Sequence, residues 1–115
     1  MEYIYKITVT RVIDGDTIDA NIDLGFDTVL SKRIRLHGID APETRTRDKA
    51  EKKKGFAAKA RLEEIINQNN GVLYLHSKDK GKYGRCVGEL FEQDFDDESI
   101  NDMLINEGLA KPYKK

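Results

Sequence analysis

The stretch Arg33-Ile34-Arg35-Leu36-His37-Gly38-Ile39-Asp40-Ala41-Pro42-Glu43-Thr44 reads as a strand that runs into a turn. Ile34, Leu36 and Gly38 fall on one face, with Arg33, Arg35 and His37 on the other. Gly38 is expected to let two backbones approach closely. Pro42 fixes φ and stops the ladder, and Ala41 before it is biased toward an extended conformation. The strand end thus offers a guanidinium (Arg35), a carboxylate (Asp40), a bare carbonyl (Ala41) and a second carboxylate (Glu43). Oxygen ligands suit a hard cation such as Ca²⁺, and a guanidinium suits a phosphate. On these residues alone, an edge strand with solvated charges and a proline turn reads the same way.

On the N-terminal side the pattern is also β. Tyr3 to Ile13 alternates, with Tyr3, Tyr5, Ile7 and Val9 against Lys6, Thr8 and Thr10. Asp14-Gly15 is a hairpin signal, and alternation resumes from Asp16 to Ile22. Leu24-Gly25-Phe26-Asp27 is a second turn, and Val29 to Ile39 is expected as one third strand. Beyond it, Arg45 to Lys54 has no apolar residue except Ala50 and reads as a mobile basic loop, with a turn of helix as an open option. From Phe56 to Asn69 the period becomes helical, with Ala58, Leu62, Ile65 and Ile66 inward. Asn69-Asn70-Gly71 ends that helix. Val72 to His76 is a fourth strand, Ser77 to Gly84 a polar turn, and Arg85 to Phe91 a fifth strand. After an acidic loop from Glu92 to Glu98, Ser99 is an N-cap with Asp102 at N3. Ile100, Met103, Leu104 and Ile105 form the buried stripe of the last helix, and Gly108 suits C′. Lys111 to Lys115 is expected as a short basic tail. The order β-β-β-α-β-β-α predicts a mainly β, α+β fold. It is a five-stranded, partly open OB-fold barrel with a helix between strands 3 and 4 and a C-terminal helix, an architecture that often binds oligonucleotides.

A length of 115 residues predicts one domain, spanning 1–115. With 38% apolar and 36% charged residues, a small, highly charged, soluble domain is expected. The net charge of −1 hides a separation of signs. Lys32, Arg33, Arg35, Arg45, Arg47, Lys49, Lys52, Lys53, Lys54, Lys59 and Arg61 crowd the middle, and Glu92 to Glu107 is acidic. One face can therefore meet a polyanion while another stays solvated. The single cysteine, Cys86, excludes an internal disulfide and a multi-cysteine zinc site. No apolar run reaches membrane-spanning length, so no membrane partner is expected. The opening residues Met1 to Lys6 carry no secretory pattern, and a cytoplasmic setting is expected.

Two further constellations carry chemistry. Asp14-Gly15-Asp16-Thr17 alone is an ordinary hairpin. Beside Asp40 and Glu43 on a neighbouring strand end, Asp16 would repel them unless a cation intervened. Asp16, Asp40 and the Ala41 carbonyl match the oxygen donors of Ca²⁺. Lys82-Tyr83-Gly84-Arg85 places two cations and an aromatic beside a tight turn. Arg35 and Arg85 can grip one phosphate from two strands, with Lys82 and the Tyr83 hydroxyl on a neighbouring one. A polar hairpin reads the same way on its own. His37 and His76 are expected to be structural, with exposure the alternative for His76, and Cys86 a small buried hydrophobe. Asp94 to Glu98 lacks the glycine and spacing of an EF-hand loop.

Taken together, Asp14-Gly15-Asp16-Thr17, Arg35 with Asp40-Ala41-Pro42-Glu43-Thr44, Lys82-Tyr83-Gly84-Arg85 and Gly108-Leu109-Ala110 resemble the staphylococcal nuclease (thermonuclease) family in order and spacing. The resemblance covers nearly the whole chain. It implies an OB-fold enzyme that hydrolyses phosphodiester bonds of DNA and RNA with Ca²⁺ and leaves 3′-phosphates. It implies that Asp16, Asp40 and the Ala41 carbonyl bind Ca²⁺, with Glu43 beside the metal as general base. It further implies that Arg35 and Arg85 bind the phosphate, and that Lys82, Tyr83, Lys49 and Tyr113 contact nucleic acid. A monomer acting on unpaired regions is expected. Two other readings stay open: a non-catalytic OB-fold module that binds single strands, and a calcium-dependent protein-interaction domain.

Overall fold

The computed structural model describes residues 3–80, 86–93 and 98–113. The first three strands, β1 (Tyr3–Asp14), β2 (Thr17–Asp23) and β3 (Val29–Leu36), form an antiparallel meander. Its alternation follows the sequence: Ile18, Ala20 and Ile22 are buried on β2, and Ile34 and Leu36 on β3. The β1–β2 register shifts between Val9 and Arg11 and again between Val12 and Asp14. The first shift changes the phase, so Val12 turns inward after Ile7 and Val9.

The third strand is shorter than its apolar pattern predicts. It stops at Leu36, turns through His37 and Gly38, and resumes as β4 (Ile39–Asp40). Gly38 is in the left-handed region at φ 78, and no atom lies within 4 Å of where its Cβ would be. Its role is therefore conformational and not the close approach expected of it.

The basic stretch is not a loop from Lys49 onward. Helix α1 (Lys49–Gln68) starts there because the Asp48 carboxylate accepts from the N–H groups of Ala50 (3.0 Å) and Glu51 (3.3 Å). Lysines are good helix formers, and the cap supplies the start that an apolar period would otherwise mark. Gly55, Ala58, Leu62, Ile65 and Ile66 face inward. The helix ends at Asn69, with Asn70 and Gly71 at positive φ, as its sequence predicts.

β5 (Val72–Lys80) runs four residues past the expected end of the fourth strand, through part of the expected polar turn. β6 (Cys86–Phe91) follows. The strands close into a barrel in the order β1-β2-β3-β6-β5, where partial opening was expected. β5 seals it by pairing with both β1 and β6. The remaining seam is parallel and short: Ile34, Arg35 and Leu36 pair with Cys86, Val87 and Gly88.

Helix α2 (Ile100–Asn106) is capped as its sequence predicts, with the Ser99 hydroxyl accepting from Asp102 N–H at 3.0 Å. Its buried residues are Ile100, Asn101 and Leu104, so Asn101 takes an inward place where Met103 and Ile105 are only half-buried. The expected basic tail begins instead as β7 (Lys111–Pro112), paired antiparallel with β4. Ile7, Ile18, Ile34, Leu36, Leu62, Ile65, Leu73, Leu75, Leu90, Ile100 and Leu104 fill one core inside the barrel and under both helices. Among the described residues no helix is long and apolar enough to cross a membrane.

Candidate active site

The site forms where β2 starts and β3 ends. Thr17 pairs with Arg35, and the Asp16 carbonyl accepts from Leu36 N–H at 2.8 Å, so backbone bonds hold Asp16 beside Arg35. The Arg35 guanidinium reaches two carboxylates. One terminal nitrogen lies 3.1 Å from Asp16 Oδ2 and the other 3.6 Å from Asp40 Oδ1. The first nitrogen also points at the carbonyls of Asp16 and Leu36, both at 3.4 Å. Asp16 is buried, at 7% exposure, and both of its carboxylate oxygens have partners. Its Oδ2 also accepts from Ala41 N–H at 2.8 Å, and its Oδ1 from the Thr17 hydroxyl at 2.9 Å. Asp40 is open to solvent, with its side chain 59% exposed. Burying a polar side chain such as that of Asp16 costs free energy unless it finds partners of this kind.

Glu43 is exposed and lines a groove of about 680 Å³ together with Asp40, Ala41, Lys54 and Lys111. Two contacts fix its backbone. Asp14 Oδ1 accepts from the Thr44 hydroxyl at 2.7 Å and from Thr44 N–H at 3.3 Å. On the other side Gly55 of α1 comes so close that a Cβ there would sit 2.5 Å from the Glu43 carbonyl oxygen. Gly15 likewise meets α1, where an added Cβ would lie 2.7 Å from the Ala58 Cβ.

Tyr113 comes to the site by way of β7. Its N–H donates to the Gly38 carbonyl at 2.8 Å, and its ring lies 5.8 Å from the Arg35 guanidinium carbon. That distance allows a cation–π contact. Lys49 opens α1 and is exposed, and it does not line the groove beside Glu43. Lys82, Tyr83 and Arg85 lie outside the described residues. The strand that follows them starts at Cys86, which pairs with Ile34, next to Arg35.

The donor chemistry around Asp16, Asp40 and Ala41 is all oxygen, which fits Ca²⁺ in kind. Among the described residues no three His, Cys, Asp or Glu side chains gather into a cluster that could hold a metal ion. A site of two carboxylates completed by a carbonyl and water remains within what Ca²⁺ accepts. His37 is exposed where a structural histidine was expected, though its backbone N–H and carbonyl are both bonded. His76 does pack, with its ring 4.2 Å from that of Phe91. Cys86 is half-buried against the core.

Sequence reasoning missed Asn101, the Asp14–Thr44 pair and Gly55. A glycine just before the helical period and an asparagine beside Ile100 were the signals for two of them, and both need the tertiary fold to be read.

A family model described as staphylococcal nuclease homologue matches residues 33–115. The chain belongs to that family. It is 36% identical over 103 residues to a thermonuclease of Staphylococcus intermedius, covering 90% of this chain and 56% of that protein. It is 32% identical over 106 residues to an SPbeta prophage-derived endonuclease of Bacillus subtilis (strain 168), covering 91% of this chain and 33% of the relative. A second Bacillus subtilis (strain 168) endonuclease is 32% identical over 107 residues, 92% of this chain and 47% of the relative. The chain thus spans a third to just over half the length of these relatives.

Proposed function

We propose that this chain is a Ca²⁺-dependent nuclease that hydrolyses phosphodiester bonds of DNA and RNA, unpaired regions first, as a monomer. The observation that carries the reading is the single guanidinium of Arg35 held between Asp16 and Asp40. The names of its relatives, endonuclease and thermonuclease, support the same reaction class.

Asp16, Asp40 and the Ala41 carbonyl are the residues that would hold Ca²⁺. Bound there, the ion would neutralise the two carboxylates and draw charge from a phosphoryl oxygen. Arg35 exchanges its carboxylate partners for non-bridging phosphate oxygens, and Arg85 grips the same group from β6's side of the sequence. Both arginines hold charge that grows as phosphorus becomes five-coordinate, so they act more on the transition state than on the ground state. Glu43, exposed at the groove, orients a water and takes its proton for in-line attack on phosphorus. The 5′-oxygen leaves and the phosphate stays on the 3′ side. Tyr113 steadies Arg35 through its ring face and offers its free face to a base. Lys82, Tyr83 and Lys49 contact neighbouring phosphates.

The test is a 5′-labelled oligonucleotide incubated with Ca²⁺, its fragments treated with a 3′-phosphatase. Fragments whose mobility changes on treatment, with cleavage lost in Glu43→Gln, support the scheme. Binding without any cleavage would assign the chain to the non-catalytic single-strand binders instead.

A further inference from the structure

We propose that Asn101 is a positioning residue for Arg35, acting through the seam between β3 and β6. The inference rests on the nuclease reading above and concerns how that site is held.

Among the described residues, the barrel's shortest join is the one nearest the chemistry. β2 and β3 pair along seven residues, Thr17 to Asp23. At the shortest join β3 and β6 pair along three, and His37 N–H donates to the Gly88 carbonyl at 2.8 Å just beyond them. Arg35 is the middle residue of those three. Arg85 is joined to the first residue of β6, Cys86, by one peptide bond. The spacing between the two strands therefore bears on where Arg35 stands.

Asn101 bridges this seam from α2. It is 1% exposed. Its Nδ2 donates to the His37 carbonyl on one side (2.8 Å) and to the Gly88 carbonyl on the other (3.2 Å). Its Oδ1 accepts from Leu90 N–H at 3.0 Å. Both donors and the acceptor of one amide are used, and they touch β6 and the turn that directly follows β3. An apolar residue at 101 would make none of these three bonds. It would leave the Leu90 N–H without a partner in the core, at a cost that buried polar groups rarely bear. The amide adds direction: only one relative placement of the β3 end and β6 satisfies all three bonds. Asn101 touches no reacting atom, so its influence reaches the reaction only through where Arg35 stands.

Asn101→Asp keeps the shape and the acceptor and removes both donors. The experiment compares it with Ile100→Val, which loosens the same helix without touching a hydrogen bond. The expected result at a temperature where both are folded is a kcat loss of about tenfold or more in Asn101→Asp with KM within about threefold, and little change in kcat for Ile100→Val. In an Arg35→Lys background the added loss from Asn101→Asp should shrink to within about threefold, because coupled positions do not add. An unchanged kcat in folded Asn101→Asp, or the same fold loss with Arg35 already replaced, would overturn the inference. If Asn101→Asp does not fold, Asn101→Ser takes its place under the same criteria. If the unsubstituted protein cleaves nothing, the nuclease reading fails separately. The seam is then read by NMR. Faster hydrogen exchange at the His37 amide and a shifted Arg35 side-chain Nε–H signal support the positioning role, and the absence of both overturns it.

Discussion

Gly55 gives a sharp prediction. A glycine inside a helix costs about 1 kcal/mol relative to alanine, so Gly55→Ala on a free helix would stabilise. Here the added Cβ would sit 2.5 Å from the Glu43 carbonyl oxygen, 2.7 Å from its carbonyl carbon and 2.8 Å from the Pro42 oxygen. All three are backbone atoms, and ordinary contact begins near 3.4 Å. The segment carrying Glu43 must therefore retreat by roughly 1 Å. Overpacking of this kind costs about 1–3 kcal/mol. After the helix gain of about 1 kcal/mol, a net loss of about 0–2 kcal/mol remains. At about 4 °C per kcal/mol, the melting temperature should fall by less than about 10 °C. The effect on turnover should be larger, because a general base displaced by about 1 Å can lose on the order of 100-fold in rate. The assay is kcat on a fluorogenic oligonucleotide beside a thermal melt of the same preparation. Unchanged kcat in Gly55→Ala would refute the claim that α1 sets the Glu43 position. A raised melting temperature would refute the steric account itself.

Arg35→Ala should lower kcat by about 100- to 1000-fold, as loss of one transition-state donor does, with substrate binding in gel shift affected less. Thr44→Val, measured in the same kinetic assay, removes the hydroxyl that Asp14 accepts and should cost about 1 kcal/mol of stability with a fall in kcat. Arg61 ties the two helices by donating to both carboxylate oxygens of Glu107, at 2.8 and 3.1 Å. That bond holds the Glu107 carboxyl below its ordinary value of 4.5. Its stabilising effect is therefore present above pH 4.5 and lost as the pH falls through the lowered value. Glu107→Gln should lose a few tenths to about 1 kcal/mol at neutral pH, less in high salt, and show a flatter stability profile below pH 4.5 in urea titrations.

What could be read in the sequence was what repeats locally. Ile34 and Leu36 announced the inward face of β3, and Ala58, Leu62, Ile65 and Ile66 announced the buried side of α1. Ser99 with Asp102 marked the second helix because a cap is a short-range bond. The features that escaped are non-local or aperiodic. The lysines from Lys49 to Lys54 carry no apolar period, and the start of α1 depends on the Asp48 side chain bonding two residues on. β4 and β7 are two residues each and exist only because segments 71 to 73 residues apart in the chain come together. At the site, the residue types at positions 16, 35 and 40 hinted at shared chemistry. That one guanidinium spans both carboxylates, and that Glu43 shares a groove with Asp40, is a property of the folded chain.

The most direct test of the central claim is nicking of supercoiled plasmid by the purified chain in Ca²⁺ against EDTA, run beside Glu43→Ala and Arg35→Ala. The account predicts cleavage in Ca²⁺, none in EDTA, and a loss of at least about 100-fold in both variants. Equal cleavage in EDTA, or full activity in Glu43→Ala, would contradict it.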